Sequence, residues 1–341
     1  MPEIPPVIQA SEKYLNQLAS LDTAAIDRLV RAWGGSYKRL ALLLDNLLLE
    51  IGDNPITRGQ LVRLERYKTL MTQVGNELLG LQGLTSTEVE QALSVGVNLG
   101  LKHSIELLSV TVAGNTSVTG AFNTLPVNAV KQMIGFLSPD SVLFKRLQLI
   151  APTTANWVSQ SLIQGMALGK NPRVVAASFR EAFGRGLTDA ARFARTAQLW
   201  AYREASRANY VANEKYLGGW IWCSALSDRT CVACLAMHGT EHPTWERLND
   251  HHNGRCRQLP IVRGYPSPLE GLEASGEKWF GEQPVGIQQK IMGREYWQAW
   301  KDGAYKFDEL VGTYKDEVYG EMRHVKPLWQ LLGTEPPLKT K

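Results

Sequence analysis

DRTCVACLAMHGTEHPTWERLNDHHNGRCRQLPI, Asp228 to Ile261, holds three of the four cysteines and four of the six histidines of this 341-residue chain. Cys231 and Cys234 form a C-x-x-C pair, whose turn lets two thiolates reach one ion, and tetrahedral zinc needs four such sulfur or nitrogen donors. The simplest closing pair is His251 and Cys256, which flank Gly254, where the backbone can turn sharply. His252 is the alternative to His251, because adjacent histidines point in different directions. His238 and His242 read as surface or supporting groups, and Cys223, on a strand among aromatic residues, reads as a core thiol. Three thiolates and a neutral imidazole around a divalent ion leave one net negative charge, which Arg229, Arg255 and Arg257 lie near enough in sequence to offset. That balance predicts a closed, structural zinc site. A strand-rich segment this short buries too little apolar surface to fold securely alone, so the metal is expected to order it. A redox role for the C-x-x-C pair is disfavoured, because such a pair usually opens a helix after a strand in a thioredoxin-like unit.

Outward from that segment, GGWIWCSAL (218–226) reads as a strand leading in and RQLPIVRG (257–264) as its partner leading out. Upstream the pattern is helical. Ile26, Leu29, Val30 and Trp33 share one stripe, Gly34 and Gly35 are expected to stop that helix, and a second should run from Tyr37 to Ile51. Asn54 before Pro55 predicts a third helix start, and Thr85 with Glu88 has capping-box spacing for a fourth. Val110 to Pro126 loses the periodicity and reads as a loop or short hairpin. Ser138 and Asn171, each before a proline, predict further helix starts; a break is expected at Pro152, and Gly184 with Gly186 is expected to end a helix before a long one from Thr188 to about Asn213. On that helix Arg192, Arg195, Arg203 and Arg207 share one face, as a solvated surface or as a contact for DNA or a partner. Short helices are expected over EKWFGEQPVGIQQKIMGREYWQAWKDG (277–303), and the tail TEPPLKTK (334–341) reads as frayed.

The fold class that follows is mainly α: helical bundle domains with a small zinc-bound α+β segment near the C-terminal third. The expected divisions are an N-terminal helical domain (1–125), a central helical domain with the long helix (126–218), the zinc segment (219–263), and a linker with short C-terminal helices (264–341).

Composition bounds the function classes. A 44% hydrophobic content is that of a folded protein, and 37 basic against 33 acidic residues is too even a balance for a dedicated nucleic-acid binder. The first residues lack a basic stretch followed by an apolar core, so no export signal is expected. The most apolar run, Leu40 to Ile51, is interrupted by Asp45 and Asn46 and is far shorter than a membrane span. GMALGKN (165–171) is one residue short of a phosphate-binding loop and lacks its Ser or Thr. A zinc deaminase would need H-x-E before its C-x-x-C, whereas His238 and Glu241 follow Cys234.

A strand ending in Asp-Arg-Thr, a cysteine pair, a glycine, His-x-Asn, Arg-Cys and a proline-containing strand resembles the closing part of Mu F-like phage head morphogenesis proteins. Here it reads Trp220, Trp222, Asp228, Arg229, Thr230, Cys231, Cys234, Gly239, His251, Asn253, Arg255, Cys256 and Pro260. The preceding ARTAQLWAYREASRANY is similar to that family's long helix. The resemblance covers Thr188 to Val262, extends weakly into EKWFGEQPVGIQQKIMG, and says little about the first half. It departs at Gly254, where family members often carry a further cysteine. The resemblance implies a minor head protein of the procapsid, made in the cytoplasm of a bacterial host and located in the interior of the procapsid or virion. Its implied partners are the portal protein, other capsid or scaffold components, and DNA passing through the portal. It implies no membrane, no small-molecule substrate and no catalysis. The competing classes are an HNH-like metal-dependent nuclease, suggested by DHHNGRC after the cysteine pair, and a DNA-binding structural module using the arginine face.

Overall fold

Helix stripes dominate the backbone of this computed structural model, which describes residues 4–52, 55–134, 141–270 and 272–335. In chain order they are α1 (Pro6–Ile51), α2 (Arg58–Leu61), α3 (Glu65–Thr111), α4 (Thr116–Thr119), α5 (Val127–Ile134), α6 (Val142–Leu147), α7 (Ile150–Ala167) and α8 (Pro172–Ala212). Then come β1 (Leu217–Cys223), α9 (Val232–Met237), β2 (Glu241–His242) and β3 (Arg257–Val262). The chain continues through α10 (Gly276–Glu282), α11 (Val285–Met292), α12 (Arg294–Lys301), β4 (Val311–Asp316), β5 (Gly320–Val325) and α13 (Leu328–Leu331). The mainly helical expectation holds. No described helix is long and apolar enough to cross a membrane.

Several helix boundaries expected from the sequence are absent. Gly34 and Gly35 lie inside α1, and none of the glycines at 34, 35, 184 and 186 has positive φ. A glycine inside a helix costs only about 1 kcal/mol relative to alanine. Buried Leu29, Trp33, Leu40, Leu44 and Leu47 on the same helix outweigh that loss. Gly184 and Gly186 likewise continue α8, and Gly186 has a packing reason: a Cβ there would lie 2.4 Å from the Trp33 ring and 2.5 Å from the Thr154 hydroxyl. Thr85 and Glu88 cap nothing. They sit mid-α3, where the Thr85 hydroxyl donates back to the Leu81 carbonyl (2.7 Å) and Glu88 takes both arms of the Arg28 guanidinium (2.6 and 2.7 Å). Pro152 breaks nothing either, since it occupies the first turn of α7, where a backbone N–H has no helical partner to lose.

The Asn171 expectation is met: its side-chain oxygen accepts from the Arg173 N–H (2.9 Å) at the start of α8. The capping positions proposed at Asn54 and Ser138 lie outside the described residues, as does most of the tail beyond Glu335. Thr57 and Gln60 form a reciprocal capping box on α2 instead. Between α3 and α5 the chain is a loop carrying the one-turn α4, entered through left-handed Ala113 and Gly114 (φ 51° and 70°). Fully buried Asn209 and Asn213 stitch that loop to α8. Asn213 exchanges bonds with the Asn123 backbone (2.7 and 2.8 Å), and the Asn209 oxygen accepts from the Leu125 N–H (3.1 Å).

The chain divides into two compact units. One comprises Met1–Leu18, Val95–Ile134 and Leu199–Lys341; the other comprises Ala19–Ser94 and Gly135–Gln198. Among the described residues the second unit has helices and no strand, with Trp33, Phe179 and Phe183 in its core and the Trp33 and Phe183 rings in edge contact at 5.0 Å. The first unit contains the strands. β1 is the centre of a three-stranded antiparallel sheet in the order β2-β1-β3, with Trp220 opposite both His242 and Pro260. Both faces of β1 are covered: Trp220 and Trp222 pack with Tyr210, Cys234 and Cys256, while Ile221 and Cys223 pack with Val7, Ile8 and Leu259. The pairing of 217–223 with 257–262 and the short helices after 276 are as expected, whereas the β4-β5 hairpin was not anticipated. Helix α9 is the anchor for the C-terminal segment, because Val232 and Leu235 join Phe280, Met292, Tyr305, Phe307 and Leu310 in one apolar cluster.

Candidate metal centre

Cys231 ends the turn after β1 and stands at the N-cap of α9; Cys234 follows in the first helical turn. The C-x-x-C pair therefore does open a helix after a strand, contrary to the sequence-based expectation, although the sheet beside it is antiparallel and three-stranded rather than thioredoxin-like. His251 and Cys256 come from the loop joining β2 to β3. That loop reverses at left-handed Asn253 (φ 61°), where the Gly254 N–H donates to the His251 carbonyl (2.9 Å).

The donor atoms gather as two overlapping sets. Cys231, Cys234 and His251 lie within 4.8 Å of one another, as do Cys234, Asp250 and Cys256. Two thiolates on one tetrahedral zinc, each at about 2.3 Å, are roughly 3.8 Å apart, so this spacing is within a small adjustment of coordination. The four sequence-predicted ligands are thus divided between two overlapping groups that share Cys234, with Cys256 grouped with Asp250 and not with Cys231 or His251. The His251 Nδ1–H donates to the His252 carbonyl (2.8 Å), which leaves Nε2, 3.5 Å from Asp250 Oδ1, as the ring nitrogen that could face a metal. His252 turns elsewhere, its Nε2 3.3 Å from Asp316, so the choice between the two histidines falls on His251. Borderline-soft zinc suits a donor set of three sulfurs and one imidazole nitrogen.

The electrostatics differ between the candidate ligands, favouring the thiolate at Cys231 and the protonated forms of His251, Cys234 and Cys256. The hydrogen bond from Cys234, joined by contact with His251, outweighs burial and brings the Cys231 thiol down to about 4. Burial pushes the His251 imidazole down, but the Cys231 and Asp250 partners outweigh it and raise the ring to about 9. Cys234 is held well above the ordinary thiol range by its hydrogen bonds to Cys231 and Cys256 and by burial. The Cys231 thiolate and the His251 imidazolium each favour the other's charged form, and a divalent cation would displace the protons of the imidazole and of the other two thiols.

Asp250 was not anticipated. Its carboxylate is fully buried and accepts from the His251 N–H (2.8 Å), the Cys256 N–H (3.2 Å), the Cys234 thiol (3.3 Å) and the Arg203 guanidinium (3.0 Å). Only its position one residue before His251 could have flagged it, and aspartate before a turn is common for purely local reasons. The arginines expected to offset the site's charge do not do so. Arg229 and Arg255 are exposed, and Arg257 runs instead to the Ser11 hydroxyl (2.9 Å) and the Cys223 sulfur (3.3 Å). The nearby cation is Arg203, from α8.

Arg192, Arg195, Arg203 and Arg207 of α8 have separate partners. Arg203 points into the 250–256 loop, and Arg207 joins Arg247 on the buried Glu204 carboxylate (3.0 and 3.1 Å). In the other unit Arg192 pairs with Asp189 (2.7 Å) and Arg195 with Asp22 (3.4 Å). His238 and His242 are buried, not superficial. The Ser224 N–H donates to His238 Nδ1 (3.0 Å), while His242 stacks on Trp220 at 4.3 Å. Cys223 is the core thiol expected, 2% exposed, with burial pushing its pKa up.

Comparison with known proteins gives no match: no family model, no curated protein and no solved structure is significantly similar to this chain.

Proposed function

We propose that this chain is a minor head protein of a tailed phage, of the Mu F-like kind, in which one zinc ion on Cys231, Cys234, His251 and Cys256 locks the C-terminal third into a rigid knuckle. Its role is assembly of the procapsid through contacts with the portal and neighbouring capsid or scaffold components, without catalysis. It acts inside the procapsid after synthesis in the host cytoplasm. The observation that carries this reading is the pair of overlapping donor groups, Cys231, Cys234 and His251 beside Cys234, Asp250 and Cys256, which share Cys234 in the first turn of α9. The motif that resembles the head proteins and the residues that could hold the metal are the same residues. Two measurements test it. Elemental analysis of the purified protein should find about one zinc per chain, and mass spectrometry of particles from the gene's own host should find the chain in the capsid. A metal-free protein, or its absence from particles, rejects the reading.

A second reading has one specific observation in its favour. Cys231 caps α9 and carries a lowered pKa, about 4, beside His251, as the attacking thiol of a dithiol redox pair would. A measured Cys231–Cys234 reduction potential near that of cellular glutathione, in a protein that takes up no zinc, would favour this alternative. The nuclease reading has no comparable support, since His252 faces Asp316 and His251 stands among the thiols.

A further inference from the structure

The loop carrying His251 and Cys256 is built around one buried carboxylate. Asp250 receives the backbone N–H groups of both residues, at 2.8 and 3.2 Å, and so sets where the two downstream ligands leave the backbone. Arg203 then clamps the same loop from α8. Its guanidinium donates to Asp250 Oδ2 (3.0 Å), the Gly254 carbonyl (2.8 Å) and the Cys256 carbonyl (3.0 Å), with only 11% of the side chain exposed. The Asp250 oxygens thereby accept from two backbone N–H groups, the Cys234 thiol and one guanidinium, so the carboxylate is better placed to hold ligands than to be one.

We propose that Asp250 and Arg203 are the positioning residues of the metal centre: Asp250 aims His251 and Cys256, and Arg203 ties that loop to α8, so that metal occupancy is felt along the helix. This rests on the zinc reading above. A buried aspartate paired with a guanidinium also supplies local charge neutrality before metal arrives, so the loop is preorganised and zinc binds to a largely prepared site. Lys would preserve the charge at position 203, but its shorter side chain ends short of Nη2, the one guanidinium nitrogen that meets the carboxylate and both carbonyls.

The test uses the full chain and zinc itself, with affinity measured by competition against a chromophoric chelator. Asp250→Asn and Arg203→Lys are each expected to weaken zinc binding by about 10–100-fold. Cobalt substituted at saturation should give the same sulfur-to-metal charge-transfer bands in both variants as in the parent, because the ligands themselves are intact. Amide exchange over residues 200–207 should slow when zinc is added to the parent, and slow less in Arg203→Lys. If Asp250→Asn does not fold, Arg203→Lys alone decides. Variants that bind zinc as tightly as the parent overturn the positioning role. A cobalt spectrum changed in Asp250→Asn does so too, by making Asp250 a direct ligand. A parent protein that takes up no zinc overturns the metal reading itself, which separates the two failures.

Discussion

The carboxylate of Asp250 fills the space into which any side chain at position 254 would project: a Cβ on Gly254 would lie 2.1 Å from Asp250 Oδ2. Gly254 does not have positive φ, so the requirement for glycine is one of contact and not of backbone conformation. Gly254→Ala must push Asp250 off its backbone donors or shift the loop. The expected cost is about 2–3 kcal/mol, read as a lower urea midpoint with zinc present, together with weaker zinc binding. An unchanged midpoint would mean the loop is soft.

Glycines in α3 separate packing from propensity. At Gly100 a Cβ would come within 2.3 Å of the Tyr202 carbonyl oxygen and 2.8 Å of the Ala205 Cβ, whereas at Gly83 nothing lies within 4 Å. Gly100→Ala should destabilise by about 2 kcal/mol or more, while Gly83→Ala should stabilise by about 0.5–1 kcal/mol. Denaturant melts of the pair check the contrast, and the same sign for both would refute it.

His103 gives the fold an acid-sensitive point. Its ring stacks on Tyr14 at 3.8 Å and is 1% exposed; burial, partly opposed by Glu106 and reinforced by Lys102, lowers its pKa to about 4. The folded state thus prefers the neutral ring. Between about pH 6.5 and 4 the unfolded chain binds the extra proton, so stability present above pH 6.5 is lost as pH falls. Compared with His103→Gln, the parent should lose on the order of 2 kcal/mol more over that interval. Urea midpoints measured for both proteins at pH 6.5 and 4.5 would reveal a parallel decline if His103 has no part in it.

Metal removal should expose a graded set of thiols. After chelation, brief alkylation at pH 6 followed by peptide mass spectrometry should label Cys231 first, since its pKa of about 4 leaves it ionised. Cys223, buried with a raised pKa, should stay unlabelled until the chain unfolds. With zinc bound, Cys231 should be protected. Labelling of Cys231 at equal rates with and without zinc would show that it is not a ligand.

On sequence alone, the cysteines and histidine that could hold a metal and the strands around them were legible, because C-x-x-C spacing and the alternation in GGWIWCSAL are local patterns that local geometry obeys. Helical character was legible for the same reason, through stripes such as Leu29 and Trp33. What the tertiary structure decided was where helices stop and which charges reach the site. Gly34, Gly35, Gly184 and Gly186 carry a weak local preference that buried side chains on the same helices override. Arg203 looks like one member of a surface stripe until the loop at 250–256 is folded against it, and Asp250 looks like a turn residue until two N–H groups, a thiol and that guanidinium converge on it. Both depend on contacts between residues some 50 positions apart, and periodicity within one segment carries no information about such distant partners.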